Sequence, residues 1–337
     1  MKKIKYLRKL GRIYFAYIFK KQKVTCPPIK LWIEVSSRCN LKCRLCVNKD
    51  MPSLAKGDMD FELYKKIIDQ SKDYVFDVNL FHRGEPLIHP QIVEMVKYGT
   101  QNNLKTRIHT NGSLLTPELS KKIIAAGLNM ISFSFDGYTK ATYEKNRIGA
   151  VYENTLKNIT SFLKIKKELN SLTPFTALQV MEFDEKISHK NFQIQKKEFI
   201  KNFENLPLDR LVIRTPHNWG GNLDIDGVVK ADRKKSKFTA CTFPWYALVI
   251  FHDGKVYPCP QDFYGNLPIG DANNDSLKDL FNNEVMQNIR KSFKNKDIDN
   301  LSPCNNCDRC RRETFMGIPR EKGNKGTVLL FRFLRLG

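Results

Sequence analysis

Short apolar runs alternate with longer segments of helical period along the first two thirds of the chain. The strand-like runs fall at 31–35, 77–82, 104–109, 130–135, 175–181 and 210–214. Between them, segments 61–70, 91–101, 117–126, 152–169 and 191–203 place apolar residues three and four positions apart, on one face of a helix. Such alternation predicts parallel strands joined by crossover helices. Six units of this kind predict an α/β fold built as a partial (β/α)6 barrel, with functional residues at the C-terminal strand ends. A doubly wound open sheet has the same periodicity and is the alternative.

The chemistry concentrates in the cysteines. Cys39, Cys43 and Cys46, in the pattern C-x3-C-x2-C, follow the apolar run 31–35 directly. A cubane iron–sulfur cluster normally takes four thiolates. Three on one loop would hold three irons and leave the fourth open to an outside ligand. Zinc sites usually pair C-x2-C with a second such pair or with histidines, and no histidine is close in sequence to this loop. Three unrelated thiols, or a zinc knuckle, remain the bland alternatives from spacing alone.

Four later segments, in order, sharpen the choice. They are Phe81-His-Arg-Gly-Glu-Pro86, His109-Thr-Asn-Gly112, Ile131-Ser-Phe-Ser-Phe-Asp-Gly137, and Tyr143 with Arg147 and Gly149. With the cysteine loop they resemble the radical S-adenosylmethionine (radical SAM) superfamily: its C-x3-C-x2-C, G-G-E-P, T-N-G, S-x-D-G and Y-x-x-x-R-x-G segments. The resemblance implies that Gly84, Glu85 and Pro86 line the amino group of bound S-adenosylmethionine. It further implies that Thr110, Asn111, Ser134, Asp136 and Arg147 hold its ribose and carboxylate, the last through a guanidinium–carboxylate contact. Two positions depart from the pattern. Arg83 replaces the first glycine, which questions close backbone approach there, and Leu45 stands where an aromatic commonly meets the adenine.

A second cysteine set occupies the last third. Cys241 and Cys259 flank a hairpin signal at Asp253-Gly254, and Cys304, Cys307 and Cys310 follow in Ser302-Pro-Cys-Asn-Asn-Cys-Asp-Arg-Cys310. This stretch resembles the auxiliary-cluster extension of the SPASM or Twitch type, a small α+β cysteine-rich domain. The resemblance implies a second [4Fe-4S] cluster closed by Cys241, Cys259, Cys304 and Cys307. Cys310 is then an alternative ligand, a hydrogen-atom donor to a substrate radical, or a small buried residue; Cys26 reads as the last of these. A zinc ribbon is the alternative for the set as a whole.

The expected organisation is a basic amphipathic segment at 1–27, the barrel at 28–217, a linker at 218–237, the cluster domain at 238–320 and a basic apolar tail at 321–337. The 337 residues leave room for both domains. Nine cysteines in metal-like spacing do not suggest a secreted disulfide framework, and the reducing cytoplasm is expected.

The net charge is +22. Residues 2–23 carry nine Lys and Arg, and no acid precedes Glu34. The apolar stretch 13–19 is too short to span a bilayer, and no small-residue cleavage site follows it. A basic helix with an aromatic face suits a peripheral position at the inner membrane face; covering the rims of the barrel is the alternative. No nucleic-acid-binding motif accompanies the basicity, so nucleic acid is not an expected partner.

The resemblance implies reductive cleavage of S-adenosylmethionine, with electrons from a donor such as flavodoxin or ferredoxin, and hydrogen abstraction from substrate. The chain's resemblance to single-auxiliary-cluster enzymes that oxidise sugar-like alcohols implies oxidation, and the basic ends favour an anionic small molecule: a phosphorylated or nucleotide-linked sugar, or a lipid-linked intermediate. Epimerisation and bond-forming peptide maturation are the rivals. A peptide-recognition module of about eighty residues commonly precedes the barrel in the maturases, and the first cluster cysteine here is residue 39, which counts against a peptide. A non-catalytic zinc scaffold is the alternative of another class.

Overall fold

The computed structural model of the chain describes residues 2–182, 189–214, 223, 238–311, 314–315 and 318–319. Strands β1 (Lys30–Ile33), β2 (Asp77–Asn79), β3 (Lys105–Thr110), β4 (Met130–Asp136), β5 (Phe175–Met181) and β6 (Arg210–Arg214) lie side by side in chain order and are all parallel. Helices α2 (Phe61–Ser71), α3 (Ile92–Gln101), α4 (Pro117–Ala125), α5 (Lys140–Asn146), α6 (Tyr152–Glu168) and α7 (His189–Lys201) make the crossovers. Each crossover must bury an apolar face: α2 does so with Tyr64, Ile67 and Ile68, and α6 with Ile159, Phe162 and Leu163. Asp60 caps α2 by accepting from the backbone N–H groups of Glu62 and Leu63. This is the partial barrel of the sequence reading. The short helix α5, ahead of Arg147, is an element the periodicity did not mark.

The cysteine-rich extension does not stand apart from the barrel. Strand β7 (Ala247–Ile250) pairs in parallel with β1, from Lys30 opposite Ala247 to Ile33 opposite Ile250. Strands β8 (Lys255–Tyr257) and β9 (Gly270–Asp271) continue antiparallel, giving one nine-stranded sheet with β6 and β9 at its edges. Gly254 takes φ +91° in the β7–β8 turn, a left-handed conformation that glycine adopts without strain. Helices α8 (Leu277–Leu280) and α9 (Glu284–Asn295) complete the extension, and strands β10 (Thr314–Phe315) and β11 (Ile318–Pro319) form a separate hairpin.

Helix α1 (Lys2–Ile18) packs Leu10, Ile13, Ala16 and Tyr17 into the main core. The Tyr17 hydroxyl donates to the Ala240 carbonyl (2.7 Å), and Trp245 Nε1 donates to that of Lys21 (3.0 Å). Arg290, fully buried in α9, ties the same elements together. It donates to the carbonyls of Gln22 (2.7 Å), Pro244 (2.9 Å) and Phe281 (2.6 Å) and has no carboxylate among these partners. Burial pulls its pKa down to about 9. One face of the N-terminal segment therefore covers the body of the protein. The expected tail at 321–337 lies outside the described residues, as does the linker apart from Leu223. Leu223 is buried with Val47, Met51 and Phe263.

Candidate active site

The cysteine loop leaves the C-terminal end of β1, where Leu31, Ile33 and Val35 are fully buried and anchor it. The Ser36 hydroxyl donates to Asp58 (2.6 Å), Arg38 pairs with the same carboxylate (2.9 Å), and the Cys46 N–H donates to the Cys43 carbonyl (3.1 Å). Farther along, the Lys42 N–H donates to Ile148 O (2.9 Å) and that of Arg44 to Asn146 O (2.8 Å). Cys43 is thereby held between residues bonded to either side of Arg147.

The two glycine-containing segments lock onto the same loop. A Cβ on Gly84 would collide with the carbonyl oxygens of Ser36 and Arg38, so close backbone approach occurs here, one residue after Arg83. The Glu85 N–H donates to Arg38 O (2.8 Å). The buried Glu85 carboxylate accepts from the Thr110 hydroxyl (2.7 Å), the Asn111 N–H (2.8 Å) and the Leu87 N–H (3.1 Å), while the Asn111 amide donates to Asn40 (3.0 Å). Burial raises the Glu85 pKa, and these three donors hold the rise down. Glu85, Thr110 and Asn111 thus form one network beside Cys39.

Arg147 meets Asp136 as a fork, Nε to Oδ2 at 2.7 Å and Nη2 to Oδ1 at 3.2 Å. The carboxylate that Arg147 faces here is the protein's own. Ser134 hydrogen-bonds the Nε2 of His109, and the Phe81 ring lies 5.4 Å from that imidazole. Burial pulls the His109 pKa down to about 4, helped by the positive charges of Arg147 and Arg214, so the ring is neutral. His109 precedes the T-N-G segment and was not singled out in the sequence; a histidine at the end of a strand carries no signal until its neighbours are known.

Burial pushes the Cys39 thiol up to about 12 and that of Cys43 to about 11, and raises Cys46. Cys43 and Cys46 add to the shift of Cys39, and Cys46 to that of Cys43, so the three sulfurs share one neighbourhood. Thiols that resist ionising singly become thiolates when a compact positive group is bound. All three remain partly exposed, as an open site requires.

In the extension, Cys241 precedes a 3-10 turn at Phe243–Trp245, Cys259 follows β8, Cys304 and Cys310 lie on two successive 3-10 turns, and Cys307 sits between those turns. Burial raises Cys259 well above the usual thiol range, with Cys241 and Cys307 adding to it. Burial does the same to Cys304, with contributions from Cys259, Cys310, Cys241 and Cys307. The five thiols therefore form one group. Beside them Arg309 has a buried Nε without a hydrogen-bond partner and its guanidinium 4.8 Å from the Phe243 ring. An orphaned cationic donor among buried thiols fits a thiolate-ligated, anionic cluster. Among the described residues no three His, Cys, Asp or Glu side chains converge on a point for a single metal ion, and no disulfide joins the cysteines.

A buried ion group connects the two cysteine regions. Glu34, fully buried, accepts from Arg83 Nε (2.5 Å) and Nη2 (2.6 Å), and its carboxylate lies 3.0 Å from His252 Nδ1. Burial alone would raise its pKa. Hydrogen bonds from Arg83 and His252, with the His82 ring close by, outweigh this and hold it well below the usual carboxylate range. His82 stands 3.4 Å from the same carboxylate and 2.9 Å from the carbonyl of Pro260, next to Cys259. Arg83 thus turns its side chain away from the cofactor motif toward β1. One signal was available: Glu34 is the lone polar residue of the otherwise apolar run 31–35. Leu45 is partly exposed on the cysteine loop.

Comparison with known proteins agrees with this geometry. Residues 33–176 match the radical SAM superfamily model, and residues 241–308 match the SPASM iron–sulfur cluster-binding domain. The chain belongs to the radical SAM superfamily, with a C-terminal SPASM-type domain; it is a radical SAM enzyme whose cofactors are S-adenosylmethionine and two [4Fe-4S] clusters. The zinc alternatives are set aside accordingly. It is 24% identical over 320 residues to a tungsten-containing aldehyde ferredoxin oxidoreductase cofactor-modifying protein of Pyrococcus furiosus, covering 83% of this chain and 88% of that one. An AdoMet-dependent heme synthase of Methanosarcina barkeri is 34% identical over 134 residues, 40% of this chain and 38% of that one. A PqqA peptide cyclase of Gluconobacter oxydans is 32% identical over 126 residues, 37% and 34% of the two chains. The chain thus spans well under half the length of the latter two relatives. In fold it is similar to BtrN in complex with AdoMet and 2-DOIA (TM-score 0.56, 19% identity, 83% and 92% of the two chains). It is likewise similar to native anSMEcpe with bound AdoMet (TM-score 0.61, 18% identity, 84% and 90%). Among the described residues no helix is long and apolar enough to cross a membrane.

Proposed function

We propose that this radical SAM enzyme oxidises an anionic small molecule, a phosphorylated, nucleotide-linked or lipid-linked sugar alcohol, at the inner membrane face. Cys39, Cys43 and Cys46 would hold the open cluster, and Cys241, Cys259, Cys304 and Cys307 the auxiliary one. When bound, the clusters and S-adenosylmethionine supply a 5′-deoxyadenosyl radical and an acceptor for one electron. The chain's own residues do the rest. Gly84 lets the backbone close on the cysteine loop, and Glu85 is held rigid for the cofactor's amino group by Thr110, Asn111 and Leu87. Arg147, Asp136 and Ser134 would orient the ribose and carboxylate, and Leu45 would lie against the adenine.

The observation that carries the oxidative reading is the parallel pairing of β7 with β1. It ties the β7–β8 hairpin, which Cys241 and Cys259 flank, to the strand that carries the first cysteine loop, a suitable frame for holding two electron-transfer sites at a fixed separation. In such a reaction the substrate alcohol loses a hydrogen atom, then a proton and an electron, leaving a carbonyl. Methionine and 5′-deoxyadenosine are the coproducts, and a donor such as flavodoxin or ferredoxin supplies the priming electron. The anionic reading rests on the net charge of +22 and on the basic ends of the chain, nine Lys and Arg within residues 2–23 above all. Cys310, within the auxiliary thiol group, would be the hydrogen donor if the outcome were epimerisation.

A bond-forming peptide maturase is the second reading, favoured by the similarity to the PqqA peptide cyclase. Anaerobic turnover with sugar phosphates and nucleotide sugars separates the two. One carbonyl formed per 5′-deoxyadenosine supports oxidation, whereas a product of unchanged mass or a cross-linked peptide overturns it. Turnover indifferent to the substrate's phosphate and to ionic strength would remove the anionic part.

A further inference from the structure

Helix α1 has two apolar faces, and among the described residues only one is packed against the fold. Leu10, Ile13, Ala16 and Tyr17 face the core. On the opposite side Ile4 (58% exposed), Leu7 (41%), Phe15 (58%) and, one residue past the helix, Phe19 (63%) stand in solvent. At 100° per residue Ile4, Arg8, Gly11, Phe15 and Phe19 fall in one stripe, bordered by Leu7 and Arg12. Arg8 and Arg12 are exposed as well. The Phe15 and Phe19 rings stack at 6.3 Å, and a Cβ added at Gly11 would meet nothing within 4 Å, so the stripe is open along its middle.

We propose that this outer stripe of α1 docks the enzyme on an anionic lipid bilayer, with Ile4, Leu7, Phe15 and Phe19 entering the headgroup boundary and Arg8 and Arg12 meeting lipid phosphates. The proposal deepens the peripheral placement made above by naming its surface, and rests on no part of the reaction.

Two features fix the occupant as anionic. No acid occurs among residues 1–33, whereas residues 2–23 carry nine Lys and Arg. The first turn of α1 also contains no acid and begins Lys2-Lys3, although the unpaired N–H groups at a helix N-terminus favour negative charge. The fold leaves that mismatch uncompensated within the helix, and an anionic surface relieves it. Aromatic residues interleaved with arginines on one helix face suit the boundary between lipid headgroups and acyl chains. The chain's own segment 328–336 is basic too, with Arg332 and Arg335, which makes it a poor complement to the stripe.

The test is flotation of the reconstituted full-length enzyme with vesicles of phosphatidylcholine alone or with a quarter phosphatidylglycerol. Binding only to the anionic vesicles, weakened by salt, is expected. Each basic residue near such a surface contributes about fivefold in affinity, so the double variant Arg8→Glu, Arg12→Glu should bind at least 25-fold more weakly. Phe15→Ser with Phe19→Ser should lose at least tenfold, since each buries roughly a full apolar side chain. Both variants change exposed side chains and should retain iron content and 5′-deoxyadenosine formation, so a failure to bind is separable from a failure of the enzymatic reading. Absence of binding by the full chain, equal binding by both variants, or binding that emerges only on deletion of residues 321–337 would each overturn the proposal.

Discussion

Arg83 grips Glu34 with Nε at 2.5 Å from one carboxylate oxygen and Nη2 at 2.6 Å from the other, while its guanidinium carbon lies 3.6 Å from the Phe251 ring. The pair joins the cofactor motif, β1 and the residues after β7. Removing one partner of a buried pair leaves the other charge uncompensated, at about 3–5 kcal/mol. Glu34→Gln should therefore destabilise the enzyme by that amount in anaerobic denaturant unfolding. Arg83→Gly, although it restores the glycine common in the family, should also destabilise it. A loss under about 1 kcal/mol in both would mean that the pair is not structurally required.

Gly84→Ala forces a Cβ against the Ser36 and Arg38 carbonyls at the base of the cysteine loop. The loop must move, and iron content should fall from about eight to about four per chain, the auxiliary cluster surviving. Metal counting after reconstitution checks this. Full loading would place the required flexibility in the loop.

Iron counting also sorts the second cysteine set. Serine at Cys241, Cys259, Cys304 or Cys307 should remove about four irons, whereas Cys310→Ser should keep about eight. The reverse result at Cys307 and Cys310 would exchange their roles.

His109 makes stability depend on pH. Its folded pKa, about 4, lies below the unfolded value near 6.5, so the unfolded chain binds the extra proton between those limits. Stability is complete above pH 6.5 and is lost as pH falls toward 4, at up to about 1.4 kcal/mol per unit from this residue. His109→Gln should flatten the decline between pH 7 and 5.5 in anaerobic unfolding. An unchanged slope would assign the acid sensitivity to other groups.

The cysteine spacing, the order of the motifs and the alternation of strands and helices were legible because each is local. A loop ligand set, a turn glycine and a helix face repeat within a few residues, and Gly84, Glu85, Thr110 and Asn111 carry their chemistry in their own segments. The outward face of α1 and the Glu34–Arg83 pair were less visible. The first depends on which side of the helix the body covers, and the second on two segments 49 positions apart.

The sequence alone determined the class of chemistry, because thiolate number and spacing set how many irons a loop can hold and whether one stays open. It also determined the crossover fold, because hydrophobic period sets which elements bury which faces. Only the tertiary structure decided that β7 pairs with β1, making the auxiliary extension a continuation of the barrel sheet, since backbone pairing between distant strands leaves no mark on either one. It alone decided that Arg83 serves Glu34 and that His109 is neutral. A buried charge takes its state from the desolvation and the partners that folding brings to it.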